Sequence, residues 1–237
     1  MARTRFRPSW WASALVLLLG AVMIALGSWQ LQRGFAKAEL RARFERAADE
    51  PPRHLTAGAR AEPGVVEPAQ ARGRFDAGMQ LLLDNQSHER QPGYRVWTPL
   101  RLAAGGIVVV DRGWVPARGD RSQLPELPVP AGEHEVKGYW RTLPEPGLRL
   151  ETQNCAPGAW PRIVQYPTLD DLRCLYGEPL AAGVLLMAPG APGGFVREWA
   201  SGPELSPSKH YGYAAQWFTF TLVLIVLFVK FSFRPAP

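Results

Sequence analysis

The sequence predicts a membrane protein in which two transmembrane helices flank an α+β domain, built mainly on antiparallel sheet. Three observations predict it. Two charge-free apolar runs lie near the two ends of the 237-residue chain. Hydrophobic residues make up 46% of the whole, ordinary for a globular protein, so they are concentrated in those runs rather than spread over many spans. Between the runs, short β-prone segments alternate with Gly and Pro punctuation.

The first run, WWASALVLLLGAVMIALGSW from Trp10 to Trp29, is about 20 residues long, enough to cross roughly 30 Å of hydrocarbon as a helix. Trp10, Trp11 and Trp29 stand at its ends, where indoles favour the membrane interface. A cleaved signal peptide is the competing reading, with Ala25-Leu26-Gly27 as the cleavage site, but the run exceeds an h-region of about 7–15 residues. The second run, YGYAAQWFTFTLVLIVLFV from Tyr211 to Val229, is aromatic in its first half and aliphatic in its second. Leu222 to Val229 is apolar on every face, as in lipid rather than in a core helix.

Two spans put both termini on one side. The short tails carry Arg3, Arg5, Arg7, Lys230 and Arg234, which predicts cytoplasmic termini and a periplasmic domain. Arg33, Lys37, Arg41 and Arg43 follow the first span and reduce that contrast. The resulting layout is a tail over 1–9, a span over 10–30, the periplasmic domain over 31–209, a span over 210–230 and a tail over 231–237. The formal net charge of +6 invites a nucleic-acid reading. It is excluded because no basic stripe interleaved with aromatics and no recognition module is present. The flanking arginines suit anionic lipid headgroups instead.

Phe35 to Ala48 is rich in helix formers and is expected to continue the first span as a polar helix until Pro51-Pro52. Strands are expected at Met79–Asp84, Tyr94–Leu100, Ile107–Val115, Glu135–Arg141, Arg162–Tyr166, Gly183–Ala188 and Phe195–Trp199. Gly105-Gly106 marks a hairpin turn, and the apolar run Ile107–Val110 a central strand buried on both faces. Thr168, followed by Asp170 and Asp171, opens a short helix that Gly177 closes. Leu124–Pro130 is a Pro-rich surface loop. Cys155 and Cys174 form a disulfide if the compartment is oxidising, and otherwise are two buried thiols. With no nearby His, they do not resemble a zinc ligand set.

No nucleophile elbow, P-loop or dinucleotide fingerprint occurs. Asp84, Glu89 and Asp111 show no spacing that makes them a working pair, so the sequence predicts no enzyme. Of the four histidines, His54, His88, His134 and His210, the last stands out. It opens the second span at the membrane interface, near Tyr211, Tyr213 and Trp217. A neutral imidazole among aromatic rings suits a haem iron. The plainer alternative is an interfacial His bonded to headgroups or backbone. With no C-x-x-C-H motif, any haem would be held non-covalently.

Four segments, taken in order, resemble the Surfeit locus protein one family, assembly factors for cytochrome c oxidase. They are LGSWQLQR (Leu26–Arg33), GYRVWTPL (Gly93–Leu100), VVVDRGWVP (Val108–Pro116) and HYGYAAQWF (His210–Phe218). The chain departs from the family in having Ser208 and Lys209, where an Asn often precedes the His. The resemblance implies a respiratory-chain chaperone of a bacterial inner membrane that binds haem a and helps insert it into the oxidase's catalytic subunit. Its partners would be that subunit, a haem a synthase and membrane lipid. On this reading His210 is the axial ligand of the haem iron, and Trp29, Gln30, Arg33, Tyr213 and Trp217 surround it. Arg33 or Arg112 would pair a propionate, although Arg112 also reads as a structural residue beside Asp111 and Gly113. Two alternatives remain: a haem-free scaffold for the oxidase subunit, and an unrelated tethered domain that binds a small ligand or cell-wall component.

Overall fold

A computed structural model describes residues 4–47, 50–118, 123–145, 154–199 and 206–235. Its strands are β1 (Thr4–Phe6), β2 (Arg53–His54), β3 (Glu67–Phe75), β4 (Leu81–His88), β5 (Gln91–Leu102), β6 (Ile107–Pro116), β7 (Glu133–Arg141), β8 (Arg162–Val164), β9 (Val184–Met187) and β10 (Phe233–Pro235). Its helices are α1 (Trp10–Ala47), α2 (Leu169–Tyr176) and α3 (Pro207–Ser232). The chain divides into two compact units, one of Met1–Leu40 with Glu204–Pro237 and the other of Arg41–Pro203.

In the first unit α1 and α3 run antiparallel. Both are long and apolar enough to cross a membrane. No proline interrupts α1 between Pro8 and Pro51, so the apolar run and the Ala/Glu/Arg/Lys-rich stretch after it form one unbroken helix. Two glycines set the helix spacing. A Cβ at Gly27 would lie 2.7 Å from the Phe218 ring, and one at Gly34 would meet the Tyr211 ring. Aromatic rings thus take the place of side chains on α1, the small-residue device by which apolar helices approach closely. At the far end of the pair β1 and β10 form a short antiparallel ladder, with Arg5 opposite Arg234. Phe6 packs edge-on against Phe228 and Phe233.

The second unit is a mixed sheet in the order β2-β3-β7-β9-β6-β5-β4-β8. Pairings β2–β3, β4–β8 and β6–β9 are parallel and the rest antiparallel. The last residues of β3 also pair with β5, Gly73 with Leu102 and Phe75 with Leu100. That contact closes β3-β7-β9-β6-β5 into a ring, which the sequence did not foretell. Inside lie Ala69, Ala71, Phe75, Leu100, Val108, Val110, Val136, Trp140 and Leu185. As the apolar run predicts, β6 is buried from Ile107 to Val115. It follows β5 through Gly105-Gly106, both at positive φ, where glycine meets no steric penalty.

Thr168 caps α2 in a reciprocal box with Asp171, and Gly177 ends it in the left-handed conformation. Cys174 on this helix is bridged to Cys155, with Cα atoms 6.1 Å apart. Three strand expectations need correction. The strand expected over Arg162–Tyr166 ends at Val164, because the Gln165 N–H turns to Asn154 Oδ1 and Tyr166 takes positive φ. Phe195–Trp199 is not a regular strand: it touches the sheet through the single bridge Val196–Trp114. The strand expected from Met79 starts at Leu81, because Asp76 caps a 3-10 turn over Ala77–Met79.

Candidate functional site

The site is built where the two apolar helices meet. On α1, Gly27, Gln30 and Gly34 are spaced three and four apart and share one face. On α3 the facing residues include His210, Ala214 and Thr221, all buried. The close approach at the two glycines brings Gln30 onto His210. The ring Nδ1 and Gln30 Oε1 are 2.7 Å apart, and the His210 backbone N–H donates to Ser206 O. With the carboxamide in this orientation its oxygen faces Nδ1 as an acceptor, the arrangement that goes with a proton on Nδ1 and a lone pair on Nε2. Among the described residues no hydrogen bond reaches Nε2.

The other sequence-predicted residues of this unit lie around the pair. Trp29 is half exposed, and the Arg33 guanidinium sits over its ring at 5.7 Å from the centroid. Tyr213 is exposed, one helical turn beyond His210. Trp217 is half-buried and packs edge-on with Phe220. Phe35 packs against Tyr211. The unit therefore offers one imidazole nitrogen with a fixed partner, exposed aromatic faces and an exposed guanidinium. That donor set fits a haem held by one axial nitrogen, with a cation for a propionate. Gly27, Gly34 and Phe218 are contributors that the sequence reading does not include, and Tyr211, read there as a neighbour of His210, serves as a packing partner of Gly34. Their signal was present: a seven-residue glycine spacing on one helix and a seven-residue aromatic spacing on the other.

Arg112 belongs to the barrel unit and is 1% exposed. Its Nε donates to Gly193 O at 2.8 Å and its Nη1 to Gln80 Oε1 at 3.2 Å and Thr98 Oγ1 at 3.4 Å. Its Nη2 donates to Pro128 O and Gly193 O. The guanidinium also faces the rings of Phe75 and Phe195. Burial, with Arg197 nearby, pulls its pKa down to about 10. Its neighbour Asp111 accepts the Gly113 N–H at 3.0 Å and faces Arg95 at 3.5 Å. Arg95 in turn lies 4.5 Å from the Trp199 ring centroid, and Trp199 donates to Met187 O. Burial pushes the Asp111 carboxyl up, against the pull of Arg95. The Asp-Arg-Gly stretch of β6 thus fastens the loops at 128 and 193 and the segment at 195–199 to the barrel.

Among the described residues no cluster of three or more His, Cys, Asp or Glu is placed to hold a metal ion. A model described as the SURF1 family matches residues 17–222. A SURF1-like protein of Caenorhabditis briggsae is 25% identical over 253 residues, covering 92% of this chain and 75% of its own length.

Proposed function

The chain belongs to the SURF1 family, a family of oxidase assembly factors rather than enzymes, and from that premise we propose that it carries haem a to the catalytic subunit of cytochrome c oxidase. The observation that carries this reading is the Gln30–His210 contact, which leaves a single imidazole nitrogen for the cargo's iron. Haem a supplies an apolar macrocycle, two carboxylates and an iron that takes axial nitrogen. His210 Nε2 binds the iron, Trp29, Tyr213 and Trp217 offer rings to the macrocycle, and Arg33 pairs a propionate. One axial bond holds cargo weakly enough to pass it on.

In this reading the chain spans a bacterial inner membrane twice, with the barrel unit on the periplasmic side. The basic tails and the Cys155–Cys174 bridge support that orientation. The barrel unit docks the oxidase subunit or a haem a synthase.

The test is an optical spectrum of the detergent-purified full chain, co-expressed with haem a synthesis, for the parent and for His210→Ala. The expected result is a haem a signal that collapses in the variant. A signal surviving in His210→Ala would remove the ligand assignment. No signal in either would leave a haem-free scaffold as the function.

A further inference from the structure

We propose that Gln30 is the positioning residue of this site: its carbonyl accepts the Nδ1 proton of His210, fixing one tautomer and keeping the Nε2 lone pair available for iron. The inference rests on the haem-delivery reading for its purpose, but not for its test.

Four observations carry it. The contact is short, 2.7 Å between Nδ1 and Oε1. His210 as a residue is 7% exposed, so water does not freely replace a lost partner. The acceptor stands on the other helix, 180 residues away in sequence, and the Gly27–Phe218 and Gly34–Tyr211 approaches set its position. Finally, the acceptor is a neutral amide. A histidine that ligates a metal commonly gives its other N–H to a carboxylate or carbonyl, which orients the ring and raises its basicity. A carboxylate would make the ring a stronger donor to iron and the cargo harder to release, whereas an amide orients without that charge. Tautomer and amide orientation are locked together: were the carboxamide turned, its NH2 would face Nδ1 and Nε2 would hold the proton.

The experiment is nitrogen NMR on the haem-free full chain in detergent, labelled at histidine. His210→Ala identifies the His210 signals among the four histidines. The parent is expected to show Nδ1 protonated and Nε2 bare. Gln30→Leu, which keeps bulk and removes the acceptor, is expected to shift the ring toward the Nε2-protonated form. Gln30→Glu is expected to retain the Nδ1 proton in a stronger hydrogen bond. Circular dichroism on each variant establishes that the helices persist. A parent ring protonated on Nε2, or a tautomer unmoved by Gln30→Leu in a helical protein, overturns the inference.

A second readout is haem a affinity of the purified proteins. It should fall about 10–100-fold in Gln30→Leu, the usual cost of removing a ligand's hydrogen-bond partner, and release should slow in Gln30→Glu. A parent without haem whose tautomer still answers to Gln30 would end the delivery reading and leave the positioning role standing. A haem-loaded parent whose tautomer ignores Gln30 would do the reverse.

Discussion

Arg112 stands in the barrel's interior with carbonyls and rings for neighbours, and its hydrogen bonds tie three stretches of chain together. Its removal would take a charged donor from the carbonyl oxygens of Gly193 and Pro128 and from Gln80 Oε1, which would keep only Thr98 Oγ1, and a hydrogen bond to a charged group is worth about 1.5–3 kcal/mol. Arg112→Met is therefore expected to lower the barrel's Tm markedly, followed by circular dichroism of the full chain. Arg112→Lys should recover only part of the loss, because an ammonium cannot span the same acceptors; an unchanged Tm in both would refute the clamp. Asp111 gives a pH signature. Burial raises its carboxyl above the ordinary 3.8, so the folded chain holds a proton that the unfolded chain has released. That stabilisation is complete below 3.8 and is lost as pH rises through the folded value. Asp111→Asn keeps an oxygen for the Gly113 N–H and should flatten stability against pH in that window, which denaturant melts at stepped pH would measure. A slope equal to the parent's would assign the dependence to another group.

At the scale of elements, the helix pair depends on two missing side chains. Gly27→Val and Gly34→Val should force α1 and α3 apart, abolish the His210 tautomer signature and, on the haem-delivery proposal, abolish haem a binding. Gly20→Ala, with nothing within 4 Å of its Cβ position, should leave both intact and serves as the matched control. The bridge between Cys155 and α2 closes a loop of 19 positions; Cys155→Ser should cost about 3 kcal/mol on the chain-entropy account, read as a fall in denaturation midpoint. Elements with a local signature were legible in sequence: both apolar helices, the capped α2, the glycine turn and the buried β6. β3 was not, because EPAQARGRF has no β-branched residue and its buried Ala69 and Ala71 are too small to mark an alternation. The same limit applied at the site. His210 declared itself by standing at the mouth of an apolar run, while its pairing with Gln30 depends on the register of two distant helices.

At the scale of the molecule, the family match from 17 to 222 covers parts of both units, so the apolar helices and the barrel fall within one family. Ring closure was illegible for a physical reason: it joins strands far apart in the chain, and no local pattern encodes such a partner. The position of β9 has a consequence for biosynthesis. It lies between β7 and β6 in the ring yet is the last strand of the barrel to be made. Until Val184–Met187 leaves the ribosome, β6 and β7 expose unpaired backbone along facing edges. At about 5–20 residues per second, roughly ten seconds pass between the synthesis of β3 and that of β9. During that interval the nascent domain is an open sheet and a ready template for wrong partners. A chain stopped just before Val184 should therefore be captured by holding chaperones or degraded, whereas one stopped after Trp199 should resist proteolysis, so the stretch from Val184 to Trp199 decides whether any of the earlier strands survive.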